Sequence, residues 1–166
     1  MNDGHRELTK WFEAYSRPLA LYARQLLDDH AAADVVQEAF LKLMSQKRRP
    51  NDVRAWMFRT VRNAALSELR RRRTRSRHGP AVAAGRREWF QVDLGDAIDA
   101  REVQEALTHL PHAQSELIVM RIWGQMTYEQ MSQVTGVPLS TVHAHYIAAI
   151  ESLRRKMVTP CESRTT

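Results

Sequence analysis

The chain has 166 residues, with 25 Lys+Arg against 19 Asp+Glu and 43% apolar residues. That length fits one ordinary domain or two small ones, and the apolar content excludes wholesale disorder. No window reaches the ~18 consecutive apolar residues of a membrane helix, the six glycines are too scattered for a phosphate-cradling loop, and a lone Cys161 cannot form an internal disulfide.

The first residues lack the charged-then-apolar layout of a secretory signal. Together with the single cysteine, this gives the expectation of a reducing, cytoplasmic setting without membrane insertion. Strand signals are nearly absent, so the chain reads as all-α. Residues from about Arg6 to Asp29 form one or two helices, with Pro18 as a break or a first-turn residue. A second helix, from about Ala31 to Gln46, places Val36, Phe40, Leu43 and Met44 on one apolar face. Lys47-Arg48-Arg49-Pro50-Asn51 is a basic loop, and Asn51 or Asp52 can cap the third helix, which runs from about Asp52 to Arg73.

On that third helix, Met57, Phe58, Val61, Ala65 and Leu69 share the side expected to be core. Trp56, Arg59, Asn63, Ser67 and Arg70 fall on the other. An aromatic, two guanidinium groups and two short polar side chains suit stacking on bases and hydrogen bonding to bases or phosphates. Trp56 can equally pack into the core at the helix start.

Charge supports the nucleic-acid reading. Residues 1–75 hold 16 Lys+Arg and 9 Asp+Glu, whereas residues 76–166 hold the other 9 and 10. Within 42–75 there are 12 basic residues against Asp52 and Glu68 alone, and Arg70-Arg71-Arg72-Arg73-Thr74-Arg75 is the densest run. Such a cluster can be a solvated helix end that complements the helix dipole. Its density beside Trp56 favours a nucleic-acid surface.

Gly79-Pro80 breaks the pattern, and residues 76–95 read as a flexible linker between two small helical domains, 1–75 and 96–158, with 159–166 as a tail. Glu88-Trp89-Phe90-Gln91-Val92 is an apolar patch in that linker, suited to covering one domain or docking on a partner. The second domain opens with Val103, Ala106, Leu107 and Leu110 at helical spacing. Pro111 then starts a helix carrying Leu117, Ile118, Met120, Ile122 and Trp123 and ending at Gly124.

Residues 127–157 carry a helix-turn-helix pattern. Thr127 can cap a short helix from Tyr128 to Thr135, with Glu129 or Gln130 in its first turn. Gly136 falls where the turn needs a left-handed residue, and Val137 plugs the corner. Pro138-Leu139-Ser140 starts a longer helix with Val142, Tyr146, Ile150 and Leu153. In a DNA-binding motif of this kind the second helix enters the major groove, which puts Ser140, Thr141, His143, Ala144 and His145 at base edges. Ser140 and Thr141 also suit N-capping. No Cys or carboxylate near His143 and His145, or near His109 and His112, completes a metal site, so neither a metal nor a cofactor is implied.

Two blocks together resemble the extracytoplasmic-function group of bacterial RNA polymerase sigma factors. Asp34-Val35-Val36-Gln37-Glu38-Ala39-Phe40-Leu41-Lys42-Leu43, followed by Arg54-Ala55-Trp56-Met57-Phe58-Arg59-Thr60-Val61-Arg62-Asn63 and the arginine run, is similar to sigma region two. Leu110-Pro111, then Tyr128-Glu129-Gln130-Met131 through Val137-Pro138-Leu139-Ser140-Thr141-Val142, is similar to region four. The resemblance implies that Asp34, Gln37, Glu38 and Leu41 dock on the polymerase core. It implies that Lys47, Arg48, Arg49, Arg54, Trp56, Arg59, Arg62, Asn63 and Arg70 hold the melted minus-ten element of promoter DNA. Ser140, Thr141, His143, Ala144 and His145 would read the minus-thirty-five element. An anti-sigma factor is a further candidate partner.

The chain departs from the family at His143, His145 and Ala148, where Lys or Arg is common, and at Ser67, where Asp is common. Residues 97–158 hold five basic and six acidic residues, so the second domain alone is expected to grip DNA weakly. An autonomous helix-turn-helix regulator is the alternative function, and the neutral second domain argues against it. A nucleic-acid hydrolase would need clustered carboxylates, for which Asp28-Asp29 is a weak substitute; no catalytic residue is expected.

Overall fold

A computed structural model describes residues 3–77 and 105–158. Most of the linker, the Trp89-Phe90 patch, Val103 and the tail lie outside the described residues. The first three helices are α1 (Asp3–Arg24), α2 (Asp29–Ser45) and α3 (Val53–Ser76). After a helical stretch at 105–108 come α4 (His112–Ile122), α5 (Tyr128–Thr135) and α6 (Leu139–Val158). The fold is therefore all-helical in two parts, with α1–α3 before the linker and α4–α6 after it.

Pro18 does not break α1, which runs through it without interruption. One lost backbone hydrogen bond is outweighed here by anchoring on both sides. Trp11 and Tyr15 pack against the core before Pro18, and Leu19 and Tyr22 are buried after it. Asp28 caps α2, its Oδ1 accepting from Ala31 N at 3.0 Å, and Asp52 caps α3 by accepting from Ala55 N at 2.9 Å. Each cap is worth about 1 kcal/mol.

The expected core face of α3 is buried at Met57, Phe58, Val61 and Ala65, with Leu69 half-buried. On α2, Val36, Phe40 and Leu43 are buried, but Met44 is exposed. Ile122, the last residue of α4, is exposed too. Pro111 precedes α4 as its N-cap rather than serving as its first helical residue.

The helix-turn-helix folds as its residue types dictate. Thr127 and Gln130 form a capping box, with reciprocal bonds of 2.9 and 3.1 Å. Gly136 adopts φ 72°, the left-handed conformation that ends α5. Thr135 replaces an apolar residue at no cost in unsatisfied polarity. Its hydroxyl donates to Met131 O at 2.8 Å and accepts from Val137 N at 3.3 Å.

The two halves meet in one continuous core, which reading each half by itself did not foresee. Helix α3 lies against α5, and α1 against α4. Gly124 makes the approach close enough. A Cβ there would sit 2.9 Å from Phe58 Cζ across the seam and 2.5 Å from Met120 O within its own half.

Candidate nucleic-acid and polymerase interfaces

The charged face of α3 divides into side chains that look outward and side chains the fold has engaged. Arg59, Asn63, Ser67 and Arg70 are exposed along one side, and Lys47 and Arg48 are exposed on the loop before it. Trp56 is half-buried against the core, so it joins packing to a partly open indole face.

Three arginines of the expected set are engaged by partners within the chain. Arg49 donates to Leu43 O at the end of α2 and lies over the Trp11 ring at 5.5 Å. Arg54 donates to Gln125 O at 2.6 Å and lies over Tyr15 at 5.6 Å. Arg62 reaches the buried carboxylate of Glu116 on α4, with Nε to Oε2 at 3.1 Å. Sequence periodicity places Arg62 one turn from Phe58 and gives no hint of this partner, which lies 54 residues away.

Glu116 is 4% exposed and also accepts from the Tyr22 hydroxyl at 2.8 Å, while His112 Nε2 lies 3.7 Å from it. Burial, and then the Glu116 charge, push the Tyr22 hydroxyl well above the ordinary tyrosine range. Burial alone would lower Arg62, but the hydrogen bond and charge of Glu116 outweigh it and raise the guanidinium further. A carboxylate amid Leu117, Ile118, Val119 and Met120 is the sequence signal that could have revealed the cluster.

On the outer face of α2, Asp34, Gln37, Glu38 and Leu41 are all exposed. Asp34 pairs with His30 at 3.7 Å and Glu38 with Lys42 at 2.7 Å. Leu41 is 57% exposed, Met44 three residues on is 52% exposed, and Phe12 of α1 is 55% exposed against Phe40 at 5.2 Å. Phe12 and Met44 thus extend the apolar part of this face beyond the residues expected from sequence. A groove of about 640 Å³ between α2 and α3 brings Asp34 and Glu38 to one wall and Asn63 and Ser67 to the other. The two expected sites therefore share a border.

At the start of α6, Ser140, His143 and Ala144 are exposed, and Thr141 and His145 are half-buried. The His143 ring meets Tyr128 of α5 edge-on at 5.1 Å, which fixes its direction. Tyr128 also meets Tyr146 at 5.6 Å and lies under Arg121 at 5.0 Å. Burial, then Tyr128, raises the Tyr146 hydroxyl above its ordinary range. Among the described residues, no group of His, Cys, Asp and Glu is placed to hold a metal, and no helix is long and apolar enough to cross a membrane.

Comparison with known proteins matches both parts. Residues 11–75 match the family Sigma-70 region 2, and residues 100–153 match Sigma-70, region 4. The ECF RNA polymerase sigma factor SigL of Mycobacterium tuberculosis is 28% identical over 149 residues, covering 86% of this chain and 84% of that protein. The chain belongs to the extracytoplasmic-function sigma factors.

Sigma factor SigV of Bacillus subtilis is 24% identical over 127 residues, covering 74% of each protein. The sigma factor RpoE of Bartonella quintana, solved in complex with the anti-sigma factor NepR, superposes with a TM-score of 0.72 at 21% identity. That superposition covers 96% of this chain and 99% of the other. CnrH, solved with the cytosolic domain of CnrY, gives a TM-score of 0.61 at 21% identity over 94% and 90% of the two chains. As a sigma factor, this protein binds core RNA polymerase and directs initiation at specific promoters.

Proposed function

We propose that this sigma factor docks on core polymerase through Asp34, Gln37, Glu38 and Leu41, flanked by Phe12 and Met44. It holds the melted minus-ten strand on Lys47, Arg48, Arg59, Asn63 and Arg70, with Trp56 as a stacking face. Arg49, Arg54 and Arg62 join that set when their internal partners release them. Ser140, Thr141, His143, Ala144 and His145 read the minus-thirty-five element in the major groove. The domains are 1–75 and 96–158, the protein acts in the cytoplasm without catalysis of its own, and an anti-sigma protein restrains it.

The observation that carries this reading is the two-sided α3. Its core side is buried from Ala55 to Ala65, while Arg59, Asn63, Ser67 and Arg70 stand exposed in a row on the other. Extruded bases need stacking and hydrogen-bonding surfaces beside cations for the exposed backbone, and this row supplies them. Purified protein alone is expected to bind promoter duplex weakly, and adding core polymerase is expected to give initiation from defined start sites. Tight footprinting of a duplex by the free protein, unchanged by core polymerase, would overturn the reading.

A further inference from the structure

A helix that enters the major groove does so on the side its own domain leaves free. On α6 the inner side is set by Val142 and Ala149, which are buried. Leu139, Ser140, His143, Ala144, Ile147 and Glu151 are exposed and fall within about 140° of one another at 100° per residue. Among the described residues of the second half, three large apolar side chains are exposed, Ile122, Leu139 and Ile147. Ile122 ends α4, and the other two share the free side of α6.

That side lacks the groups that most often read guanine. Arginine or lysine bidentate to guanine is the commonest specific contact in the major groove. No Lys or Arg occurs between Arg121 and Arg154. Attraction to phosphates is weak there for the same reason, and exposed Glu151 opposes it. What the side offers instead is the aliphatic surface of Leu139, Ala144 and Ile147, one hydroxyl and one imidazole. In the major groove the four bases present donors and acceptors, and thymine alone adds an apolar group, its C5-methyl. Leu139 and Ile147 lie two turns apart, about 12 Å along the helix, so they reach different base pairs.

We propose that Leu139 and Ile147 are specificity-determining residues that read thymine C5-methyl groups in the minus-thirty-five element. This rests on the assignment of α6 to the major groove of that element, and it names the base chemistry read there. A methyl group covered by an aliphatic side chain leaves water together with it, which is worth about fourfold in affinity per methyl. Cytosine in the same place presents its N4 amino group and no methyl, so the contact is lost. Discrimination comes from hydration and shape, with little help from charge.

The test uses holoenzyme, the full chain with core polymerase, on a promoter fragment recovered from randomised duplex by its initiation. Thymines around minus thirty-five are replaced by deoxyuridine, which removes the methyl and keeps every hydrogen-bonding group. Parent holoenzyme should lose about fourfold in affinity for each contacted thymine. Leu139→Ala and Ile147→Ala should each bind the thymine fragment less tightly, and the double variant should not respond to deoxyuridine. Leu139→Gln and Ile147→Gln replace any alanine variant that loses helix content by circular dichroism. No loss in the parent, or an equal loss in parent and double variant, would overturn the proposal. So would variants that lost affinity for core polymerase without DNA, because the apolar side would then belong to a protein contact. Scrambling the whole block separates the two assignments. If scrambling weakens binding and deoxyuridine does not, the methyl contacts alone fail. If scrambling has no effect, the assignment of α6 to the element fails with them.

Discussion

Arg72 Nη1 donates to Asp28 Oδ2 at 2.7 Å, and the other oxygen of Asp28 caps α2 through Ala31 N. Arg72 Nε also reaches Glu68 Oε1 at 3.1 Å. The bonds to Asp28 and then Glu68 raise its guanidinium above the ordinary arginine value. One member of the arginine run thus ties the far end of α3 to the turn between α1 and α2.

Arg72→Ala is expected to cost about 1 kcal/mol, because the pair is half in solvent and screened. Arg73→Ala, on an exposed neighbour, should stay within about 0.5 kcal/mol. Urea midpoints of the two variants measured side by side decide this. Equal midpoints would reduce Arg72 to one more surface cation.

Gly124→Ala should destabilise the protein by about 1–3 kcal/mol, since its Cβ would press on Met120 O, which is backbone, and on the Phe58 ring. The loss should appear in thermal unfolding, and trimming Phe58 to Leu should recover part of it by making room. No recovery would mean that the Met120 backbone alone sets the limit.

Arg59→Ala and Asn63→Ala should lower open-complex formation by about tenfold each, the scale of one lost base contact, with core affinity unchanged. Glu38→Ala and Leu41→Ala should do the reverse. Because Glu38 and Asn63 line one groove, both quantities must be measured for every variant. A variant of Asn63 that lost core affinity instead would move the border between the two sites.

The protein should lose stability in alkali through Tyr22. Its hydroxyl titrates higher in the folded chain than in the unfolded one, by burial first and by Glu116 second. The folded state therefore keeps a proton that the unfolded state releases. That contribution is fully present below about pH 10 and is lost as pH rises from there through the raised folded value. Between pH 8.5 and 11 the melting temperature should fall more steeply for the parent than for Tyr22→Phe, which has no proton to release. Parallel slopes would remove Tyr22 from the account.

Much of this was legible in the chain. The helix-turn-helix could be placed to the residue, because Thr127, Gly136 and Pro138 are local signals whose chemistry acts within one turn. The core side of α3 followed from periodicity, as did its outward row. What local reasoning missed is long-range. Pro18 reads as a break unless the packing of Trp11, Tyr15, Leu19 and Tyr22 on both sides is known. Met44 reads as core by spacing, yet it is exposed, as is Leu41 three residues before it. Nothing near Arg62 in the sequence announces its pair with Glu116, which the second half of the chain brings to it. Periodicity reports which side of a helix a residue is on, and not what another helix will place there.

Asp52 uses its two oxygens for different tasks. Oδ1 holds the first turn of α3 through Ala55 N, and Oδ2 holds the start of the helix-turn-helix through Gln130. The first bond lies within one turn of α3 and does not depend on the second. The first turn of α3 therefore keeps its cap whatever becomes of its neighbour in the second half, so the shape of the segment proposed to hold DNA is set within the first half of the chain.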